Sequence, residues 1–149
     1  MNAFSNQDDD RAIVDLTLDH AGMSVADLER SAQFYTDVFG FDVEESFAIP
    51  NTAVTGRVLI HPNGARIELF HQIDSEPRST GHPIASTLER GWFQVAFRVT
   101  DTQAVFAQVV ASGATPVKEP FVAPDGRSTV AFVGDPDGHL IELIQRNVD

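Results

Sequence analysis

The 149-residue chain is 42% hydrophobic, enough for one domain or two closely packed half-domains with a real core. Its formal net charge of −12, from 22 acidic against 10 basic residues, repels phosphate and anionic lipid and argues against nucleic acid or a membrane surface as partner. Cysteine is absent, which excludes disulfides, thiolate metal sites and a cysteine nucleophile, so any metal must be held by nitrogen and oxygen donors.

Residues 1–12, polar and acidic, read as a loose arm without the basic and apolar pattern of a signal segment, and the expected location is cytoplasmic. The alternating run Leu16–Val25 predicts a strand with one packed face. Asp27 follows as a helix N-cap, ahead of an apolar stripe of Leu28, Ala32, Tyr35 and Phe39 that stops at Gly40. Three shorter strands come next, the last two joined by His61-Pro62-Asn63-Gly64, which suits a tight hairpin turn. Residues 71–91, rich in Ser, Pro, Thr and Gly, form a connection. The order then repeats: a strand over Phe93–Val99, an N-cap at Asp101, a helix with Ala104, Val105 and Val109 ending at Gly113, and three strands, the last two joined by Asp135-Pro136-Asp137-Gly138.

The repetition is literal. Ile-Glu-Leu occurs at 67–69 and 141–143, an offset of 142 − 68 = 74, and shifting residues 20–70 by 74 onto 94–144 gives 12 identities in 51 gapless pairs. Each half is therefore β-α-β-β-β, with module 1 over 13–70 and module 2 over 92–146 of a single domain spanning 13–149. A half of this size buries too little surface to stand alone, so the modules are expected to pack on each other or across a dimer.

Strand parity then selects a site. Ile67 and Leu69, and Ile141 and Leu143, are the natural partners of the helices, which turns Glu68 and Glu142 to the opposite face. Ala21, Met23 and Val25, with Val95, Phe97 and Val99, do the same for His20 and Gln94, which are also 74 apart. A pseudo-twofold relating the modules brings His20, Glu68, Gln94 and Glu142 to its axis. One imidazole, one amide oxygen and two carboxylates suit a borderline dication such as Zn²⁺, Ni²⁺, Co²⁺, Mn²⁺ or Fe²⁺, with positions left for substrate. The same parity nominates Phe70, Trp92 and Arg98 around the metal, with Arg57 and Arg66 as further cations, and His82 of the connection as a residue able to reach over the site. His61 and His139, in or beside the turns, are not expected to ligate, and His71, ending a strand, is left open.

These residues resemble a known group. The paired modules, His20 followed by Val25-Ala26-Asp27-Leu28-Glu29-Arg30-Ser31 and Phe34-Tyr35, and the closing Asp135-Pro136-Asp137-Gly138-His139-Leu140-Ile141-Glu142-Leu143 are similar to the vicinal oxygen chelate superfamily of glyoxalase I, methylmalonyl-CoA epimerase, extradiol dioxygenases, fosfomycin-resistance transferases and bleomycin-binding proteins. The resemblance implies an α+β fold of cupped mixed sheets, with a metal ligated from the first and last strands of each module, here His20, Glu68, Gln94 and Glu142. The zinc-type glyoxalase I ligand set is nearest, with Gln and His exchanged between modules in this chain. It further implies a lyase or isomerase that polarises a substrate oxygen and moves a proton through an enediolate, with Glu142 as first and Glu68 as second choice of base. A small-molecule substrate and a homodimer are the expected partners. A metal-free drug-binding protein and, further off, an extradiol-type dioxygenase are the alternatives; Gln94 stands where the dioxygenases carry a His.

Overall fold

The computed structural model describes residues 14–78 and 81–147; the predicted arm at 1–12 lies outside them. Module 1 contains β1 (His20–Ser24), α1 (Leu28–Phe39), β2 (Asp42–Ala48), β3 (Thr55–Ile60) and β4 (Arg66–His71). A short helix α2 (Pro83–Ser86) lies in the connection, and module 2 contains β5 (Gln94–Arg98), α3 (Thr102–Ala111), β6 (Thr115–Val122), β7 (Ser128–Gly134) and β8 (Leu140–Arg146). The offset of 74 carries the first residue of β1, α1 and β4 onto that of β5, α3 and β8.

Each module folds into a four-stranded mixed sheet, ordered β1-β4-β3-β2 and β5-β8-β7-β6. The first strand pairs parallel with the last, and the others are antiparallel. Parallel neighbours need a crossover, which the helix provides, and this connection is what places the first and last strands side by side.

Local chemistry sets the ends of these elements. Asp27 accepts from the Arg30 amide at 2.9 Å and Asp101 from the Ala104 amide at 3.0 Å, each satisfying a free first-turn donor. Gly40, at φ 75°, closes α1 in the left-handed conformation that a side chain disfavours. Both hairpin turns close as the sequence predicts: the Gly64 amide donates to the His61 carbonyl at 2.8 Å, and the Gly138 amide to Asp135 at 3.0 Å. The first strand is shorter than its alternation suggests. Its partner β4 begins at Arg66, opposite His20, so residues 16–19 have no strand to bond and Leu16 and Leu18 are exposed.

The main core lies on the helix side of both sheets and is common to the two modules, with Tyr35, Leu59, Ile67 and Leu69 beside Val109, Val133, Ile141 and Leu143. Phe39 and Phe41 of module 1 reach Phe97 of module 2 at ring separations of 5.3 and 5.9 Å. A second cluster, Val130, Phe132 and Leu140 with Phe121 and Ile144 against it, lies on the other face of the module 2 sheet.

A polar latch fastens the turn of module 2 to α1. The buried Asp135 carboxylate receives the Tyr35 hydroxyl (2.9 Å), the Asp137 and His139 amides (2.9 and 2.8 Å) and His139 Nδ1 (2.8 Å). Asp137 receives Arg30 Nη2 at 2.8 Å and the Ala26 amide at 3.2 Å. Burial, and then the Asp135 charge, push the Tyr35 phenol well above its ordinary value, so it remains a donor. The Asp135 hydrogen bond raises His139 despite the opposing effect of burial.

Candidate metal and substrate site

Parallel pairing of first and last strands determines the geometry of the site. Gly22 lies opposite Glu68 and Ala96 opposite Glu142, so each glutamate has a small neighbour and a longer side chain two residues back along the same face. In module 1 that side chain is His20, whose Nε2 is 2.8 Å from Glu68 Oε2. In module 2 it is Gln94, whose Nε2 donates to Glu142 Oε2 at 2.6 Å. All four residues stand on the face turned away from the helices, the cup face, as strand parity requires.

Within one chain the structure forms these two pairs and does not join them: no group of three or more His, Asp or Glu able to hold a metal gathers among the described residues. The cause lies in the packing, since the modules share the core on the helix side of their sheets.

The donor chemistry of each half fits a metal. His20 Nδ1 is held by Asp19 Oδ2 at 2.8 Å, which directs Nε2 at the Glu68 carboxylate; a ring nitrogen fixed by an outer carboxylate, with the other turned toward the ligand position, is the usual arrangement of a metal-ligating histidine. The Asp19 hydrogen bond, more than the Glu68 charge, raises His20 above its ordinary value. A half-turn of the Gln94 amide presents Oε1 in place of the nitrogen, so both pairs can offer one neutral donor and one carboxylate.

The surroundings differ between the modules. On the module 1 cup face Phe70 and Phe47 meet edge to face at 5.6 Å, with Phe47 lying across Gly56. The row across sheet B reads Ala96, Glu142, Phe132, Lys118, with Lys118 Nζ 3.9 Å from the Phe121 ring centroid. The equivalent row of sheet A ends in Glu45, so the two rows terminate in opposite charges. Lys118, the only lysine in the chain, carries no sequence signal for this place, whereas for Asp19 the adjacent Asp-His pair is one.

Arg57 lies opposite Leu69 on the helix side and pairs with Glu29 at 2.7 Å, and Arg66 is engaged by Glu44 through two contacts of 2.7 Å. Arg98 shares a register position with Ile144, is exposed, and also borders a crevice between the modules. Trp92, just before β5, is 94% exposed. His82 caps α2, its Nδ1 accepting from the Ile84 amide at 3.3 Å, and His71 Nδ1 is 3.2 Å from the Val25 carbonyl oxygen. No helix among the described residues is long and apolar enough to cross a membrane.

Residues 17–143 match the Glyoxalase/Bleomycin resistance protein/Dioxygenase superfamily. A probable lactoylglutathione lyase of Synechocystis sp. is 30% identical over 129 residues, covering 85% of this chain and 92% of the relative. A lactoylglutathione lyase of Haemophilus influenzae is 31% identical over 131 residues, covering 85% and 90%. One of Arabidopsis thaliana is 31% identical over 130 residues but covered over only 43% of its length, so this chain spans nearly all of the bacterial relatives and less than half of the plant one. Glyoxalase I from Zea mays superposes with a TM-score of 0.64 at 26% identity, over 87% of this chain and 44% of that one. A glyoxalase family protein from Enterococcus faecalis gives a TM-score of 0.73 at 22% identity over 86% and 96%, a likeness of fold.

Proposed function

From a chain that belongs to the Glyoxalase/Bleomycin resistance protein/Dioxygenase superfamily, we propose a divalent-metal-dependent lyase or isomerase of the glyoxalase I kind that acts on a small oxygen-bearing molecule. The carrying observation is the pair of matched half-sites, His20 with Glu68 and Gln94 with Glu142, at equivalent positions of two modules. Relatives named lactoylglutathione lyase at about 30% identity support the reaction class.

Two donors are too few to hold a catalytic dication, and the half-sites of one chain stand apart. The site is therefore completed by a second copy, with His20 and Glu68 of one protomer meeting Gln94 and Glu142 of its partner in a homodimer. An isologous twofold brings unlike halves together twice, which gives two complete sites per dimer. The opposite charges of Glu45 and Lys118 at the ends of the facing rows favour this pairing over like with like.

A dication bound by these four residues supplies Lewis acidity that makes a C–H bond beside a substrate oxygen easier to ionise. Glu142 takes that proton and returns it to the same or the neighbouring carbon, with Glu68 the symmetric second choice; a carboxylate suits this two-way role. Asp19 keeps the His20 ring oriented. Phe70 and Phe47 give the substrate an apolar wall and exclude water, Arg98 and Lys118 offer cations to an anionic handle, and Trp92 and His82 belong to the rim.

The test is elemental analysis of the purified protein followed by turnover of the methylglyoxal–glutathione adduct. Metal near one equivalent per chain, turnover that needs it, and a Glu142→Gln variant that keeps most of the metal while losing turnover by roughly a hundredfold or more are expected. Persistent absence of metal with undiminished ligand capture would make the chain a binding protein instead.

A further inference from the structure

The pseudo-twofold that relates the modules also relates the two places where a hairpin turn of one meets the helix of the other. On one side is the latch, built from Tyr35, Arg30 and Ser31 of α1 and from Asp135, Asp137 and His139 of the module 2 turn. Shifting by 74 replaces every member: Tyr35 by Val109, Arg30 by Ala104, Ser31 by Val105, Asp135 by His61, Asp137 by Asn63 and His139 by Ala65. Two rings and two carboxylates are lost and one ring, that of His61, is gained; the Tyr35 phenol and the His139 imidazole give way to the smaller Val109 and Ala65.

The consequence is a crevice of about 240 Å³ between the module 1 turn and α3. Five of the six replacement residues, His61, Asn63, Ala65, Val105 and Val109, line it. Val109 and Ala65, the counterparts of Tyr35 and His139, are among its lining residues. An enclosed apolar cavity of about 150 Å³ accommodates a benzene ring, so this more open crevice has room for a bicyclic or substituted aromatic. Phe39, Phe41 and Phe97 form an aromatic wall for stacking, with Phe41 also 5.3 Å from the His61 ring.

Charge narrows the ligand further. In a chain of net charge −12 this lining holds no carboxylate. Arg98 borders it, and no described carboxylate lies within ion-pair distance of that guanidinium. The lining includes the helix-side residues Phe97 and Val99 and none of the four half-site residues, so the crevice shares no metal donor with the proposed site, and Arg98, near the end of the edge strand β5, is the one residue named for both.

We propose that this crevice binds a small planar aromatic carboxylate, whose ring lies against Val109 and Ala65, the counterparts of Tyr35 and His139, and whose anion meets Arg98. The bound molecule bridges α3 and the module 1 turn as the latch bridges α1 and the module 2 turn, and so stiffens the contact between modules.

The experiment titrates 2-naphthoate, with neutral 2-naphthol as control, into the intact protein while following methyl signals of Ala65, Val105 and Val109 by NMR. Saturable shifts at these methyls with a Kd below about 1 mM are expected. Val109→Phe, which fills the space, weakens naphthoate at least roughly tenfold, and Arg98→Gln weakens naphthoate about fivefold while leaving naphthol unchanged. If Val109→Phe does not fold, Ala65→Leu fills the same volume from the other wall. No saturation, affinity indifferent to both filling variants, or shifts confined to Val130 and Ile144 on the cup face would each overturn the proposal.

Discussion

Replacing Tyr35 by Phe tests the latch with little else disturbed. The ring volume is kept, so no cavity opens, and only the hydroxyl donated to Asp135 Oδ2 at 2.9 Å is lost. Asp135 keeps three donors, the amides of Asp137 and His139 and the His139 ring, so it is not orphaned. A hydrogen bond to a carboxylate contributes about 1.5–3 kcal/mol, and with the acceptor still served the lower part of that range applies, about 1.5–2 kcal/mol. For a domain of this length that corresponds to a fall in Tm of about 3–8 °C. Urea unfolding followed by far-UV circular dichroism, at one fixed protein concentration, is the suitable assay, because association shifts apparent stability and Trp92, 94% exposed, is a poor reporter of the core. A loss under about 0.5 kcal/mol at unchanged m would refute the claim that this contact holds the modules together.

Three further outcomes follow from the same geometry. Gly56→Ala sets a methyl against the Phe47 ring and 2.8 Å from the Leu69 carbonyl oxygen, so it should cost about 1–3 kcal/mol and loosen the Phe47–Phe70 wall; wild-type stability and an unchanged KM would contradict this. His139 has a folded pKa raised by its Asp135 hydrogen bond, so its extra stability is fully present below the unfolded value of about 6.5 and is lost as pH rises through the folded value. The stability difference between wild type and His139→Gln should therefore shrink between mildly acidic and alkaline pH, and a difference that grew with pH would reverse the assignment. His20→Ala should lower metal content while leaving Tm of the metal-free protein nearly unchanged, because His20 is an exposed strand residue; equal metal content would remove it from the ligand set.

Much of this architecture is written in local patterns. The offset of 74 and the two-residue alternation of each strand reveal the repeat, the faces of the sheets and the placing of His20, Glu68, Gln94 and Glu142 on one face, because strand parity acts within one module; the expected gathering of all four at one axis is replaced in the structure by two separate pairs, His20 with Glu68 and Gln94 with Glu142. Helix caps and hairpin turns were equally legible, since Asp27, Asp101 and the two Pro-containing turns act over three or four residues. What parity could not convey is which faces of the two modules meet. That is decided by contacts about 100 residues apart, Tyr35 with Asp135 and Arg30 with Asp137, in a turn that by itself reads only as a turn. The structure sets Arg57 opposite Leu69 on the helix side and not toward the metal, because its register depends on where β3 begins, which no short pattern marks. The alternation over 16–19 continues a strand pattern beyond the partner strand, and backbone without a partner forms no ladder.

Subunit complementation tests the central claim most directly. One variant, His20→Ala with Glu68→Ala, destroys the first half-site, and another, Gln94→Ala with Glu142→Ala, destroys the second; each alone should be inactive. Unfolded together and refolded as an equal mixture with metal, half of the dimers are mixed and each carries one intact site, so about a quarter of wild-type turnover should return. A mixture as inactive as its components would show that the two halves do not meet across protomers, and the functional account would fail with them.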